Sequence, residues 1–572
     1  MMKSIYPVYT LKNECHDCYK CVRECPVKAI KVKDGSASVL AEKCIACGHC
    51  VQVCPSNAKR VRNDIEKVKT LLSARKDIYV SLAPSWSGVY EFSPKKMVAL
   101  LKKLGFYAVS ETALGAQEVS IKTAEILRNG NNGLYISSAC PVIVDFIRKY
   151  HPNFSKNIVP IASPALTHAK LLKEKFGQDI SIVFIGPCIG KKNESDKYPE
   201  LIDAALTFEE LNYWINDLLI DVSEIKPNEN DKFVLESAYE GALYPIDGGM
   251  NETIRKAGID SNTTLVNISS LDNFNKALNN FNKEKCENKI FIEALACAGG
   301  CISGPCIDSK KSGISIISDV LTKVKYRDKI PNSASVTVPI EYKEEETEKK
   351  QYTYDEIVNA MQSIGKYSEE DELNCGGCGY TTCQDLAKAL ISGDAEPSMC
   401  VSYMRKIAMK KASAMLRAMP SAAVMVDKNL SIVESNEAFI KMFCSDMYEF
   451  FSSEQEGLAG ASIDRIVPFA NLFNTVIKTG KDIHKEHYPV KNRLYNMNIF
   501  TIEEGEIIGA VITDVTKSET DREQVAKRAR EVINKNIATV QNIACLLGEH
   551  MVETEQLLSS IAEDYEPDSE EE

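Results

Sequence analysis

The sequence predicts a multidomain chain that combines α+β and α/β parts, and three observations predict it. At 572 residues, 44% of them hydrophobic, the chain is long enough for about three to five domains with buried cores. From Asn63 to about Asn332 short apolar runs alternate with helical stretches, as in Ile78–Leu82, Pro94–Leu104 and Tyr107–Val109, which is the alternation of an α/β domain. A duplicated cysteine run precedes this region, and a segment of strand-like pieces flanking helices, without clustered cysteine spacing, follows it. The expected parts are residues 1–62, 63–335, 352–412, 413–517, 518–563 and 564–572.

Composition narrows the classes. Twenty cysteines behind a start of Met1-Met2-Lys3-Ser4, with no signal sequence, point to a reducing cytoplasm and to metal ligation in place of disulfides. No run of about 18 apolar residues occurs, so no membrane span is expected. A formal charge of -12 leaves no basic footprint for nucleic acid.

Taken in order, Cys15, Cys18, Cys21 and Cys25-Pro26 repeat as Cys44, Cys47, Cys50 and Cys54-Pro55. This spacing is that of the bacterial two-cluster ferredoxins, in which the fourth cysteine of each run ligates the other cluster. Cys25 is therefore expected with Cys44, Cys47 and Cys50, and Cys54 with Cys15, Cys18 and Cys21; zinc is the weaker alternative. His16 and His49, inside the loops, are expected at the surface.

Three further segments carry cysteines: Ser138-Ala139-Cys140-Pro141, Gly186-Pro187-Cys188-Ile189-Gly190-Lys191 and Ala296-Cys297-Ala298-Gly299-Gly300-Cys301. Each follows or sits in an apolar run, so each cysteine is expected at the carboxyl end of a buried strand, where open α/β folds place ligands. In this order the segments resemble the cluster motifs of the iron-iron hydrogenases, a resemblance covering most of the chain to about residue 310. It implies an H-cluster: a 4Fe-4S cubane on Cys140, Cys188, Cys297 and Cys301, joined through Cys301 to a diiron unit with CO, cyanide and a dithiolate bridge. Lys191 matches the lysine that hydrogen-bonds one cyanide, and Ala83-Pro84-Ser85 the loop that cradles the other, so Pro84 and Ser85 join the expected cofactor-binding residues.

The sequence also departs from that family. Ala139 stands where catalytic members have a proton-passing cysteine, and Lys122 and Thr123 follow Gly115-Ala116-Gln117 near the usual acidic relay. Gly186, Leu295 and Ala165 replace two methionines and a glutamine beside the diiron ligands, changes expected to tune the site more than to prevent its assembly. Cys306 is open as a proton donor, an extra ligand or a buried thiol; Glu118, Glu125 and Glu293 are candidates for another proton route. Loss of a general acid–base step costs about 10² to 10⁴ in rate, so slow turnover is expected. These departures resemble the sensory branch of the family.

The charged segment Glu341 to Lys350 reads as a solvated linker. After a predicted helix Tyr354–Ile364 come Cys375, Cys378, Cys383 and Cys400, a spacing similar to small four-cysteine 4Fe-4S domains, with four-cysteine zinc as the alternative. Including this site, three 4Fe-4S clusters are expected beyond the H-cluster. Residues 413–517 resemble a PAS domain through Asp427-Lys428-Asn429, Asn436-Glu437-Ala438-Phe439 and Thr513-Asp514-Val515-Thr516. His484, His487 and Cys444 are possible ligands there, each more simply structural, and no PAS cofactor is expected.

Ile533, Ile537, Val540, Ala544, Leu547, Met551, Thr554, Leu558 and Ile561 recur four and three apart, a heptad seam that predicts a parallel homodimer. The acidic residues 563–572 are expected to be disordered. Together these features predict an anaerobic, cytoplasmic hydrogen sensor reporting to a kinase or phosphatase. Its expected partners are H2 and protons, a ferredoxin-type electron carrier and hydrogenase maturation proteins. The alternatives are a ferredoxin-linked catalytic hydrogenase with an unusual proton path and a hydrogenase-like iron-sulfur assembly or binding protein.

Overall fold

The computed structural model describes residues 6–75, 77–235, 239–281, 287–307, 313–327, 330–345, 350–445, 458–516 and 531–539. Contacts divide the chain into two units, Met1–Glu396 and Pro397–Glu572.

The first unit begins with four short strands, β1 (Val8–Thr10), β2 (Ile30–Lys33), β3 (Ser36–Val39) and β4 (Lys59–Val61), paired antiparallel as β1 with β4 and β2 with β3. One-turn helices Lys20–Arg23 and His49–Gln52 carry Cys21 and Cys50 at matching places, each entered through a left-handed residue, Tyr19 or Gly48. The repeat in the sequence is thus a repeat in the backbone.

Two parallel sheets follow. Strands β5 (Ile78–Leu82), β6 (Ala108–Glu111), β8 (Ser181–Gly186) and β9 (Ala204–Thr207) lie in the order β6-β5-β8-β9; β7 (Gly133–Ile136), β10 (Thr263–Ser269) and β11 (Lys289–Leu295) lie in the order β10-β11-β7. Every residue of β5, β8 and β9 is buried, which explains their nearly continuous apolar sequence: helices cover both faces of a parallel sheet. Register sets Leu82 beside Ile185 and Ile292 beside Ile136, so the carboxyl ends of neighbouring strands are level. On this sheet the His168 ring bridges Ser81 at 2.7 Å and Ser110 at 2.9 Å, which pairs three buried polar side chains with one another.

Helix Pro94–Lys103 starts where Ser93 caps the Lys96 amide and Pro94 fills the first turn, and it buries Met97, Val98, Leu100 and Leu101. Helix Phe208–Asp217 starts at a reciprocal cap between Thr207 and Glu210.

The cysteine repeat is fastened to the α/β region at two places. Lys149 Nζ donates to the Cys44 carbonyl at 3.0 Å and the Tyr150 hydroxyl to that of Lys43 at 2.6 Å. Lys192, fully buried, bonds Asp64 at 2.8 Å and Glu210 at 2.9 Å, while Arg62 pairs with Asp64 at 2.9 Å and Asp196 at 2.7 Å.

The segment expected as a solvated linker is different in its first half. The Tyr342 hydroxyl donates to the Ile161 carbonyl at 2.9 Å, the Ile340 amide to Pro160 at 3.2 Å and Arg148 Nε to the Lys343 carbonyl at 2.7 Å, so residues 336–345 lie along the α/β region. Flanking charges concealed the anchoring Ile340 and Tyr342; residues 346–349 lie outside the described residues. Cys375, Cys378 and Cys383 also belong to the first unit, after helix Tyr354–Ser363, and dock on the cysteine repeat through Lys43 and Asp394 at 2.6 Å and Arg23 Nη1 and the Gly377 carbonyl at 3.3 Å.

In the second unit Cys400 caps helix Val401–Ala418. Strands β12 (Ala422–Asp427), β13 (Ile432–Ser435), β14 (Ile483–Val490), β15 (Arg493–Glu503) and β16 (Ile507–Asp514) form one antiparallel sheet in the order β13-β12-β16-β15-β14. The Asn436 side chain accepts from the Ala423 and Phe439 amides and donates to the Ser421 carbonyl, which fixes the helix start Glu437–Phe443 against β12. His484 and His487 are exposed, and Cys444 packs against the apolar core. A cavity of about 250 Å³ opens between helix Val401–Ala418 and the sheet, lined by Met409, Met415, Met419, Phe500 and Ile502 among others.

Residues 531–539 are helical and include Ile533 and Ile537; the rest of the predicted seam, from Val540 to Ile561, and the acidic tail lie outside the described residues. Among the described residues no helix is long and apolar enough to cross a membrane.

Candidate functional site

Four strand ends build the site. β5 runs into Ala83-Pro84-Ser85, β7 into Ser138-Ala139-Cys140, β8 into Pro187-Cys188 and β11 into Ala296-Cys297. Cys140 caps helix Pro141–Tyr150, so the Val142 and Ile143 amides point at its sulfur; the Gly190 and Lys191 amides do the same for Cys188. Cys140, Cys188, Cys297 and Cys301 line one cavity with Pro187, Leu295 and Pro305.

Burial raises all four thiols, Cys188 to about 11, and repulsion from the neighbouring thiols adds to the effect at Cys188, Cys297 and Cys301. Such a set ionises only around a cation, which is the donor chemistry of a metal cluster. The four thiols line a common cavity and so face a shared space. A cubane held by four cysteines fits that arrangement.

The residues expected to hold anionic ligands fit as well. Ser85 is 1% exposed and its hydroxyl oxygen has no partner among the described residues. Lys191 Nζ donates to Ser163 Oγ at 2.8 Å and to Glu194 Oε2 at 2.6 Å, leaving one of its three donors for a ligand. Glu194 was absent from the candidates; its i,i+3 spacing from Lys191 on helix Gly190–Lys197 was the available signal.

The neighbourhood of Ala139 is apolar. Its side chain packs against the cluster that contains Val119, Val159 and Phe291, and its amide donates to Ser137 Oγ at 3.1 Å. Thr123 is buried and bonds the Val119 carbonyl. Glu118 accepts the Ser335 and Val336 amides, Glu125 pairs with Lys122 at 2.9 Å, and Glu293 alone of the three candidate carboxylates is fully buried. Cys306 is fully buried and does not line the shared cavity.

Cys47 reaches the same cavity. Its neighbour Gly48 (φ +80°) makes this approach possible, since a Cβ there would lie 2.5 Å from Ile189 Cδ1 and 2.8 Å from Pro305 Cγ. Within the repeat, Cys21 is in electrostatic reach of Cys15, Cys18 and Cys54, and Cys50 of Cys25, Cys44 and Cys47, the crossed grouping that the spacing predicts. His16 is exposed; His49 is half-buried, 3.6 Å from Glu24.

Residues 76–305 match the family model for the iron only hydrogenase large subunit, C-terminal domain. The chain carries a hydrogenase-type H-cluster domain. Ahead of this hydrogenase domain, residues 7–55 match a 4Fe-4S dicluster domain, and residues 371–402 match an Fe-S cluster family that includes all four of Cys375, Cys378, Cys383 and Cys400.

The chain is 26% identical over 301 residues to iron hydrogenase 1 of Clostridium pasteurianum, covering 42% of this chain and 52% of that protein. It is 26% identical over 258 residues to the periplasmic Fe hydrogenase large subunit of Nitratidesulfovibrio vulgaris, covering 36% of this chain and 61% of that one. Over 133 residues it is 33% identical to the cytosolic Fe-S cluster assembly factor NAR1 of Candida dubliniensis, covering 22% and 23%. The chain therefore spans between half and two thirds of the two hydrogenases. Among solved structures, a variant of FeFe-hydrogenase HydA1 from Chlamydomonas reinhardtii aligns at 17% identity over 50% of this chain and 100% of that one, TM-score 0.38. The PAS domain of histidine kinase ThkA aligns at 15% identity over 16% of this chain and 98% of that one, TM-score 0.13.

Proposed function

We propose that this protein is a cytoplasmic hydrogen sensor, an iron-iron hydrogenase of slow turnover whose redox state is relayed through iron-sulfur clusters to a PAS-like, dimeric output. The observation that carries this reading is Ala139: next to Cys140, one of four thiols that line a common cavity, the chain has a methyl group where a proton donor is needed. Cys140, Cys188, Cys297 and Cys301 would hold the cubane, with Cys301 also on the side of the diiron unit, and Lys191 and Ser85 would bind that unit's anionic ligands. When bound, the H-cluster supplies the metal at which dihydrogen is split or formed.

The chain's own residues set the pace. Glu194 and Ser163 orient the Lys191 ammonium; the side chain beside Cys140, packed on apolar neighbours, offers no ionisable proton. That Cys47 lines the cavity wall supports a cluster on Cys25, Cys44, Cys47 and Cys50 as the next electron carrier. The set Cys15, Cys18, Cys21 and Cys54 and the set Cys375, Cys378, Cys383 and Cys400 hold two more. Electron exchange is with a ferredoxin-type carrier, assembly is by hydrogenase maturation proteins, and output is to a kinase or phosphatase.

The test is the matured protein's turnover beside its infrared spectrum. Thousands of turnovers per second would favour a ferredoxin-linked catalytic enzyme instead. The similarity to an Fe-S assembly factor favours a second reading, a protein that keeps the cubane without the diiron unit; absence of CO and cyanide bands after competent maturation would support it.

A further inference from the structure

The segment that carries Cys375, Cys378 and Cys383 is seated on one side of the duplicated cysteine run. The Asn374 side-chain oxygen accepts the Cys383 amide at 2.7 Å, which closes a loop around Cys375 and Cys378, a donor set that fits a cluster. Gly379, in the left-handed region at φ +93°, lies so near helix Lys20–Arg23 that a Cβ there would be 2.8 Å from Val22 Cγ1 and 3.0 Å from the Arg23 amide. Farther along, the Val32 amide donates to the Asp394 carbonyl at 3.0 Å, and Lys43, next to Cys44, pairs with the Asp394 carboxylate at 2.6 Å. Lys28 lies at this seam. Its Nζ donates to the Val22 carbonyl at 3.2 Å and the Arg23 carbonyl at 2.9 Å, and its charge is in electrostatic reach of both Cys25 and Cys378. Tyr380, buried on the other segment, is in reach of the same two thiols.

We propose that the four-cysteine site exchanges electrons directly with the set Cys25, Cys44, Cys47 and Cys50, across the seam that Lys28 and Tyr380 share, and not by way of the set Cys15, Cys18, Cys21 and Cys54. The inference rests on the reading that these cysteine sets hold 4Fe-4S clusters. The step is a one-electron exchange: one cluster is oxidised as the other is reduced, and no bond is made or broken. The electron comes from a low-potential donor, dithionite in the test below.

Electron exchange falls steeply with distance, so the set that presents a ligand to the docked segment is the one that serves it. Cys25 is presented there, and Cys44 of the same set adjoins the Lys43–Asp394 pair. Cys47, again of that set, lines the cavity of Cys140, Cys188, Cys297 and Cys301. One cysteine set therefore has a side toward the hydrogenase domain and a side toward the four-cysteine segment, and the Cys15 set is a branch of its own. Lys28 is a positioning residue at the fork. Burial disfavours its ammonium, while Cys25, Cys378 and Glu24 favour it. A cation held beside thiolates stabilises the reduced, more negative form of the clusters that they carry.

The experiment is electron paramagnetic resonance of the full chain, reconstituted with iron and sulfide and reduced with dithionite, in the parent and in single variants. Subtracting the Cys375→Ala spectrum from that of the parent isolates the signal of the four-cysteine cluster. That signal should be split by a neighbouring reduced cluster, and the splitting should survive in Cys18→Ala, which removes the Cys15 set. In redox titrations of Lys28→Gln, the four-cysteine cluster and the Cys25 cluster should both move to lower potential while the Cys15 cluster stays in place, and Lys28→Arg should restore both. A four-cysteine signal without splitting, or a splitting lost in Cys18→Ala, overturns the inference. If Cys18→Ala fails to assemble, the titration decides: a Lys28→Gln shift confined to the Cys15 cluster, or absent from the other two, overturns it. Zinc in place of iron at the four-cysteine site overturns the cluster reading, and this inference with it.

Discussion

At position 139 a methyl group occupies a wall of apolar side chains, and the rate of the whole site is expected to depend on it. Ala139→Cys should raise hydrogen turnover by about an order of magnitude or more, within the range of a general acid–base contribution. Film voltammetry or a dye-reduction assay reads it; an unchanged rate would place the bottleneck elsewhere. His168 supports a second expectation. Burial holds its pKa at about 3, well below the ordinary 6.5, so the native ring binds fewer protons than the unfolded one. Its contribution is complete above about pH 6.5 and is lost as pH falls toward 3, at about 1.4 kcal/mol per pH unit. Urea unfolding between neutral pH and about pH 4 should show this loss, and His168→Gln should flatten it. Cysteine positions were legible in the sequence because ligation demands a fixed residue type at fixed spacing. The Ser163–Glu194 contact and the Ser81–His168–Ser110 bridge were not, because each joins residues distant in the chain.

Among the elements, the buried parallel strands were read most closely: β11 spans Lys289–Leu295 as expected, and β5 spans Ile78–Leu82. Strand β14 was missed, since Ile483–Val490 is largely exposed and shows neither a sustained apolar run nor clean alternation. The segment after residue 336 was misread because a run of charges conceals two anchoring side chains. Equally invisible in the sequence was the charge network that joins the end of β4 to the hydrogenase domain. Lys192 is fully buried between Asp64 and Glu210, so Lys192→Met should cost about 3–5 kcal/mol by leaving buried carboxylates short of a cation. Pairing it with Glu210→Gln should restore part of that loss, since one stranded charge is removed; denaturant midpoints of the single and double variants decide it.

For the whole molecule, the clustered thiols give a direction. Cys47 opens onto the cavity of Cys140, Cys188, Cys297 and Cys301, while Cys378 belongs to a segment docked on the same repeat through Arg23 and Lys43. On the proposed reading these thiol sets are the route by which a change of state at the hydrogenase domain would leave it, with slow turnover at its source. The most direct test is infrared spectroscopy of the fully matured protein in the CO and cyanide stretching region, under hydrogen and under inert gas. The account predicts bands from both ligands that shift on exposure to hydrogen, together with low turnover; bands that stay unmoved under the gas would contradict it.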